Sequence, residues 1–284
     1  MSKTNSTDSS SIDDNLLATE SCEKIISNLK ESPELQSQGL GTVFKDWLDV
    51  LVAVLRRDDD AYETALNNHL VNDSNHNTQT QAAEAFSEAF ATLHIETKNQ
   101  DRPLLGDVYM DVGHRSKSLG QHFSPYNVCR LMAQMQIDTD EIAEASKHDP
   151  LRVADPACGD SRMQIAVAKA ARSQRKNIPI YVEGVDLDET CAKMSVINLS
   201  IDQIPSRVYH GNSLTQEIHT AWEIDPSSNG LLPAVKQIDN PDPPIQAHSE
   251  DDTSKDDSSA EQTCPPTQPN VEKERSNSKL GDFL

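Results

Sequence analysis

Residues Leu151-Arg152-Val153-Ala154-Asp155-Pro156-Ala157-Cys158-Gly159-Asp160-Ser161-Arg162 decide the fold of this chain. An apolar, strand-like stretch ends in an acidic residue, a proline, small residues and a glycine, and a helical pattern follows over Met163–Ala170. Small residues let a ligand approach the backbone, and the first turn of a helix offers free N–H groups. The order of strand, tight turn and helix therefore predicts a mononucleotide-binding unit. Similar turns also occur in α/β proteins that bind nothing there.

The composition of the 284 residues bounds the class of protein. Apolar residues make up 36% and the formal net charge is −21, so part of the chain is not expected to pack into a core. Residues 1–40 carry a net charge of −4, residues 41–236 carry −10 and residues 237–284 carry −7. A strong nonspecific grip on nucleic acid needs clustered lysine and arginine, so we expect DNA binding by this chain alone to be weak.

Cysteine spacing and hydropathy bear on the compartment. The five cysteines are scattered, without a C-x-x-C pair, so neither a metal site nor a disulfide framework is expected, and a reducing compartment fits. The sequence has no apolar run of membrane-spanning length, and its N-terminus lacks the apolar core of a signal peptide. We therefore expect a cytoplasmic protein with no membrane partner.

Four segments are expected along the chain. They are a largely disordered or weakly helical segment (1–40), a helical cap (41–100), a Rossmann-like domain (101–236) and a disordered acidic tail (237–284). Within the first two segments, residues 1–15 are expected to be disordered, and helical spacing predicts helices from Asn15 to before Pro33 and over 43–55, 60–71 and 79–94.

Two further strands are expected after the opening stretch. Pro179–Val185 reads as a buried strand that ends at Asp186, and an acidic residue there can accept hydrogen bonds from ribose hydroxyls. Asp188 is expected to cap the helix that follows, over Glu189–Ile201. Arg207–His210 reads as a short strand that runs into Gly211-Asn212.

Polar side chains therefore end three successive strands, at Asp155, Asp186 and Asn212. The carboxyl ends of parallel strands line one edge of an open sheet, where ligands bind. An acceptor for an amine, one for a ribose and a side-chain amide for a base together suit an adenosine-type ligand. The sequence thus predicts one nucleoside site at this edge.

Two other features leave alternatives open. Ser124 is placed to cap a helix with Pro125 in its first turn, and the aromatic Phe123 before it either walls a ligand site or simply belongs to a loop. A basic cluster of Arg172, Arg175 and Lys176 reads as a solvated helix end, with phosphate contact as the alternative.

In these residues the chain resembles the N6-adenine DNA methyltransferase family, in particular the modification subunit of type I restriction systems. Four motifs occur in the family's order between residues 102 and 214. The segments that carry them are Leu105–Tyr109 with Gly120–Pro125, Asp155–Ser161, Gly184–Asp188 with Asn198-Leu199, and Gly211–Leu214.

The resemblance implies a Rossmann-like α/β fold, possibly incomplete, and S-adenosylmethionine as the cofactor. Phe123 and Ser124 would lie by the methionine part, and Asp155 would receive the ammonium group. Gly159, with its neighbours Pro156 and Ala157, would allow close backbone approach. Asp186 would hold the ribose hydroxyls, and Asn212 would face the adenine amino group.

The sequence departs from the family pattern at the same loop. Ser161 replaces the second glycine, and Asp160 precedes it, so added bulk and a negative charge beside the site are expected. Asn212 replaces the usual aspartate, which keeps a carbonyl acceptor but removes its charge.

The largest departure concerns the family's catalytic tetrapeptide, Asn-Pro-Pro-aromatic. It should follow a fourth apolar strand and hold the target amine of a flipped adenine, but residues Ile218–Pro226 occupy that region without it. The only partial match to the motif is Asn240-Pro241-Asp242-Pro243-Pro244, and no apolar strand precedes it. Asn240 is therefore a weak catalytic candidate.

Three functions are compatible with this sequence, and enzymatic activity is therefore left open. The first is methyl transfer to DNA adenine, alone or in a complex with a specificity or catalytic partner subunit. The second is a catalytically inactive cofactor-binding or regulatory relative. The third is methylation of another substrate with a different catalytic loop.

Overall fold

The computed structural model describes residues 9–31, 39–69, 76–116, 122–227, 232–239, 241–242 and 244. Asn240, Gly120 and Gln121 lie outside the described residues, and so does nearly all of the expected acidic tail. None of the helices within the described ranges is long and apolar enough to cross a membrane.

The N-terminal part is helical. Helices run over Ser9–Leu29 (α1), Leu40–Arg56 (α2), Asp59–His69 (α3) and His76–Gln100 (α4). The apolar face of α2 lies at the centre, where Phe44, Trp47 and Leu48 are fully buried, and the indole Nε1 of Trp47 donates to the carbonyl of Phe86 at 3.1 Å. The helices expected between 43 and 94 are confirmed, and α1 begins at Ser9, before the expected start near Asn15.

The rest of the described chain alternates helices with strands. Its helices are Leu105–Ser116 (α5), Tyr126–Gln136 (α6), Thr139–Glu144 (α7), Arg162–Gln174 (α8) and Glu189–Ile201 (α9), and its strands are Leu151–Asp155 (β1), Ile180–Asp186 (β2), Ser206–Asn212 (β3), Glu217–Asp225 (β4) and Ala234–Asp239 (β5). The described strands form one sheet in the order β1-β2-β3-β4-β5. Strands β1, β2 and β3 are parallel, whereas β4 and β5 are antiparallel to their neighbours. The expected α/β fold is confirmed, with a mixed sheet.

Helices cover one face of this sheet. Val182, Val208 and Ile224 point to that face and share one buried core with residues of α2, α8 and α9. The opposite face carries charges, because Arg207 Nε donates to Glu223 Oε2 at 2.9 Å and Arg152 lies 3.8 Å from Glu183. The expected buried strand over 179–185 is confirmed, since Ile180, Val182 and Val185 are buried and the residues between them are at least half-buried.

The chain reverses after β3 instead of crossing back through a helix. Because β4 runs antiparallel, Ile224 pairs with Ser206 at the start of β3, and Asp225-Pro226 lie at the edge opposite to Asp186. The end of β4 therefore lies at the edge opposite to the expected nucleoside site.

The partial match at Asn240 follows β5, a strand of mixed polarity in which only Val235 is buried, so an apolar strand is absent before it, as expected. Strand β5 ends at Asp239, which pairs with Thr220, and Thr220 pairs with His210, the partner of Asp186. The end of β5 thus faces the same edge as Asp186, but β1 lies four strand spacings away, about 19 Å. A loop there is remote from β1.

Candidate nucleoside site at the carboxyl edge of the sheet

The loop between β1 and α8 is tied directly to the end of β2. The backbone N–H of Gly159 donates to Asp186 Oδ2 at 2.8 Å, and Asp186 Oδ1 accepts from the N–H of Asp188 at 2.9 Å. The Gly159 carbonyl accepts from Ser195 Oγ at 2.7 Å. Asp186 therefore holds the loop and the start of α9 in one place.

Phe123 closes the other side of Gly159. Gly159 has φ +57°, and a Cβ built on it would lie 2.9 Å from Cε1 of Phe123. A larger residue would need both a strained backbone and a displaced ring. The ring also meets Tyr109 edge-on, with centroids 5.7 Å apart. The loop, Phe123 and Asp186 thus form one continuous wall.

Ser124 does not cap the next helix. Helix α6 begins at Tyr126 with Pro125 as its N-cap and without a side-chain cap bond. The prediction of a Ser124 cap is wrong because the chain turns one residue later. Its carbonyl accepts from Arg162 Nη1 at 2.9 Å, while the residue itself is exposed beside Phe123.

Asp155 lies at the end of β1, on the same loop. Its Oδ1 accepts from the N–H of Ala157 at 2.9 Å, which shapes the turn after the strand. Pro156 and Ala157 are exposed, and Asp155 is half-buried. The turn therefore presents a carboxylate and small residues at the edge of the sheet.

Asn212 lies further out than the two aspartates. Asp186 pairs with His210, and Asn212 follows two residues later on β3. Its Oδ1 accepts from the N–H groups of Leu214 and Thr215 at 2.9 and 3.2 Å. Its carbonyl oxygen is thereby engaged in its own turn, which leaves the side-chain NH₂ as the group with donor capacity for a base.

His210 was not predicted from the sequence. It stands in register beside Asp186, and its ring centroid lies 5.1 Å from that of His219 on β4. An imidazole between Asp186 and Asn212 offers a flat surface for a nucleobase. The signal in the sequence is its position two residues before Asn212 on a strand of alternating polarity.

Asp160 does not add a free negative charge beside the site, contrary to expectation. It is fully buried, and Arg162 binds it through Nε–Oδ1 and Nη2–Oδ2 bonds of 2.9 and 3.0 Å. Its carbonyl accepts from Asn198 Nδ2 at 2.9 Å. The bidentate ion pair neutralises this carboxylate inside the protein. The added bulk of Ser161 is accommodated at φ 60°, a left-handed conformation.

Arg162 joins three segments that belong to two of the sequence motifs. Besides Asp160, it contacts Asp107 Oδ1 at 3.3 Å, and its guanidinium lies 5.1 Å from the centroid of Phe123. Burial alone would lower the pKa of Arg162, but its ion pairs with Asp160 and Asp107 raise that pKa above its usual value. A buried arginine in the first turn of a helix is unfavourable for the helix dipole. An arginine at the start of a predicted helix is therefore the feature of the sequence that indicates a nearby carboxylate partner.

Gly106 explains the first motif. Its N–H donates to Asp160 Oδ2 at 3.1 Å. A Cβ on Gly106 would lie 2.2 Å from Arg162 Nη2 and 2.3 Å from Asp160 Oδ2. The motif Leu105–Tyr109 therefore supports the loop from behind and does not line its open side.

Cys158 is structural. Burial raises the pKa of its thiol to about 12, and Sγ lies 3.5 Å from Ser195 Oγ. A thiol in this state is protonated near neutral pH and is a poor nucleophile.

Burial also raises the pKa of Asp186 above the usual range of an aspartate, although the N–H groups of Asp188 and Gly159 oppose that shift. The carboxylate therefore begins to take up a proton at a higher pH than a free aspartate does.

The predicted cap of α9 is confirmed, because Asp188 accepts from the N–H of Thr190 at 2.7 Å. The basic cluster at the end of α8 is more than a solvated helix end. Arg172 donates to the carbonyls of Asp202 and Gln203, and Arg175 donates to those of Ile142 and Ala145. Both arginines thus bind carbonyl groups at or next to the C-terminal ends of other helices.

Two solved structures are similar to this chain. A protein assigned as a class I S-adenosylmethionine-dependent methyltransferase from Listeria monocytogenes has 11% identity and a TM-score of 0.41, covering 69% of this chain and 54% of its own. The methyltransferase subunit of a type I restriction-modification system from Streptococcus thermophilus has 13% identity and a TM-score of 0.36, covering 73% and 55%. The chain spans about half the length of each, and both likenesses are distant.

A family model gives the assignment. The model described as N-6 DNA methylase matches residues 100–273, more than half of the sequence and including every residue of the wall around Gly159. The chain belongs to the N-6 DNA methylase family.

Proposed function

We propose that this chain is the cofactor-binding part of an adenine-specific DNA methyltransferase, and that it transfers methyl groups to DNA together with a specificity or catalytic partner subunit. The observation that carries the proposal is the joint at Gly159, where a left-handed glycine donates to Asp186 under the ring of Phe123. This joint brings the backbone of the loop and the Asp186 carboxylate together at the carboxyl ends of β1 and β2.

S-adenosylmethionine is the cofactor that family membership implies, and the residues present fit it. Asp186 uses one lone pair on each oxygen for a backbone N–H, so each oxygen can accept one further bond, which matches two ribose hydroxyls. Asp155 is placed for an ammonium group, and Asn212 and His210 for an adenine. When bound, this cofactor supplies an electrophilic methyl group on a sulfonium.

The chain's own residues contribute orientation and charge. Asp155 would bind the methionine end of the cofactor and Asp186 its ribose, and Phe123 would cover the Gly159 side of the site. Alignment of the methyl group with an attacking amine is the main requirement of this transfer. The acceptor for the amine proton is assigned to the partner, because β1 has no neighbouring strand on its outer side within the described chain.

Calorimetry with S-adenosylmethionine tests the proposal. We expect binding by the unaltered chain and at least about tenfold weaker binding by Asp186→Ala, since two hydrogen bonds to a charged group are lost. Asp225→Ala is the matched control, because Asp225 also ends a strand but at the opposite edge. Absence of heat for the unaltered chain, or equal affinity of both variants, would refute the site.

A second function is favoured by the reversal of the chain after β3. A relative that binds the cofactor without catalysing transfer would have the same joint and no catalytic loop. Tritium transfer from S-adenosylmethionine to adenine-containing DNA, in the presence of the partner, separates the two functions.

A cytoplasmic location and binding to DNA are part of the proposed function. They are supported by the sequence and by family membership.

A further inference from the structure

Strand β1 has an open edge. It pairs with β2 on one side, and no other described strand lies on its other side. The N–H of Leu151 donates to the Pro179 carbonyl on the β2 side. Since backbone groups alternate along a strand, the N–H and C=O groups of Arg152 and Ala154 point to the open side. An unpaired edge of this kind is a template for another strand.

Helix α6 carries an apolar stripe in solvent. Val128, Leu131, Met132 and Met135 follow the spacing of one helical face and are exposed by 42, 59, 40 and 78%. The other face of α6, with Tyr126, Cys129 and Ala133, packs on α8. A helix that is apolar on two faces is expected to pack against one element on each face. Only the face of α6 that contacts α8 is covered within the described residues.

The stripe and the open edge lie on the same side of the sheet. Helix α8 packs on β1 and contacts both α6 and α9. Helix α9 covers β2, β3 and β4, so α6 flanks α8 on the β1 side. A strand added beside β1 would therefore have α6 over its helical face.

We propose that the open edge of β1 and the stripe of α6 form one docking surface, the β1–α6 surface, for a β-strand of a different polypeptide. That strand has apolar side chains at alternate positions, which meet Leu131 and Met135, and basic residues between or beside them. It extends the sheet by main-chain hydrogen bonds to Arg152 and Ala154. The inference deepens the proposed function by locating the partner, but the surface itself is defined without the cofactor.

The charge of the surroundings identifies the occupant as basic. Residues 138–152 contain five carboxylates (Asp138, Asp140, Glu141, Glu144 and Asp149) against Lys147 and Arg152. Glu141, Glu144 and Asp149 line a cavity of about 280 Å³ together with Leu151 and Arg152 of β1. An acidic rim beside an open edge attracts cationic segments and repels anionic ones.

The acidic rim also argues against two other occupants of the β1–α6 surface, the C-terminal residues of this chain and a second copy of it. Residues 245–284 of this chain are acidic and have no alternating apolar run, so they match neither the stripe nor the rim. A second copy carries the same acidic rim and a net charge of −21, and two like rims would face each other across a two-fold axis.

A designed peptide tests the surface on the full chain. The probe is fluorescein-labelled Lys-Val-Thr-Val-Lys-Val-Thr-Val-Lys, measured by anisotropy. In one control peptide, N-methyl groups along one edge remove the backbone N–H donors of that edge. In a second control peptide, glutamate replaces each lysine and reverses the charge. We expect the first peptide to bind, the other two to bind at least about tenfold more weakly, and the amides of Arg152 and Ala154 to exchange more slowly with the first peptide bound.

Matched variants connect binding to the two halves of the surface. Ala154→Pro removes an outward N–H, and Ala154→Ser retains it. Leu131→Lys places a charge in the stripe, and Gln134→Lys places the same charge on an exposed polar position of α6. Ala154→Pro and Leu131→Lys should each weaken binding of the lysine peptide at least about tenfold. Their controls, Ala154→Ser and Gln134→Lys, should leave its affinity unchanged. Circular dichroism is the check that all four variants are folded.

Three results would overturn the proposal. They are no binding of the lysine peptide, equal binding by both members of either variant pair, and a dimer of the unaltered chain in sedimentation that Ala154→Pro dissociates. The last result would identify a second copy as the occupant. None of these measurements contains S-adenosylmethionine, so failure here leaves the proposed cofactor site untouched, and failure of calorimetry leaves this surface untouched.

Discussion

Asp186 shows how one side chain can serve both the fold and the ligand. Its two oxygens accept from Gly159 and Asp188, which fixes the β1–α8 loop against α9. The remaining lone pairs are the ones that we assign to ribose. Both tasks require the ionised form, because a protonated carboxyl loses one of its acceptors.

This requirement predicts a pH dependence of cofactor affinity. Burial raises the pKa of Asp186, so affinity is retained above that pKa and is lost as the pH falls through it, starting above the range of an ordinary aspartate. Asp186→Asn should bind more weakly and without this dependence. Calorimetry across mildly acidic to neutral pH measures it, and an identical profile for both proteins would contradict the assignment.

The Asp160–Arg162 pair predicts a large loss of stability. Arg162→Met leaves the fully buried Asp160 without its bidentate partner, and breaking a buried pair in this way costs about 3–5 kcal/mol. Urea denaturation gives the free energy of unfolding. Arg130→Met, on the exposed side of α6, is the control and should change it by less than about 0.5 kcal/mol. The double variant Asp160→Asn/Arg162→Met should recover part of the loss.

At the scale of elements, the β1–α8 loop depends on two left-handed residues. Gly159→Ala meets a steric cost of about 1–2 kcal/mol for the left-handed backbone, and its Cβ would also meet the ring of Phe123. We expect the variant to lose stability and cofactor affinity together. Phe123→Leu in the same chain should relieve the contact but not the backbone strain, and full restoration by it would contradict this separation.

The strands show what sequence patterns can and cannot predict. The positions of β1, β2 and β3 in the chain, the turn after β1 and the cap at Asp188 follow from local residues, whereas β4 and β5 were not predicted. The alternation in the first half of β2 was also present in the sequence, because Tyr181 and Glu183, which are half-buried, alternate with the buried Ile180 and Val182. The reversal at β4 could not be derived, because a chain direction after a short turn depends on pairing partners and not on local propensity.

The site shows the same division. The sequence located Asp155, Gly159 and Asp186 on neighbouring strand ends, and the fold places them there. It misjudged Asp160, because a charge next to a predicted site looks exposed until its partner two residues later is known. It missed His210, because only the register between β2 and β3 brings that ring beside Asp186.

At the scale of the molecule, the sheet formed by the described strands has helices on one face and β1 at its edge. We therefore expect the purified chain alone to transfer no tritium from S-adenosylmethionine to adenine-containing DNA, because within the described residues no strand, and hence no strand-borne catalytic loop, pairs with the outer side of β1. The assay is filter binding of labelled DNA, with Asn240→Ala as a second protein. Transfer by the chain alone that Asn240→Ala abolishes would show that the loop after β5 is catalytic and would contradict this account.

Hydrogen exchange with and without S-adenosylmethionine tests most directly whether the loop, Phe123 and Asp186 enclose one ligand. We predict slower exchange at residues 156–162 and 186–189, and little change at β5 and at the cavity beside Trp222 and Lys193. Protection at that cavity instead, or no protection at a saturating concentration of S-adenosylmethionine, would contradict it.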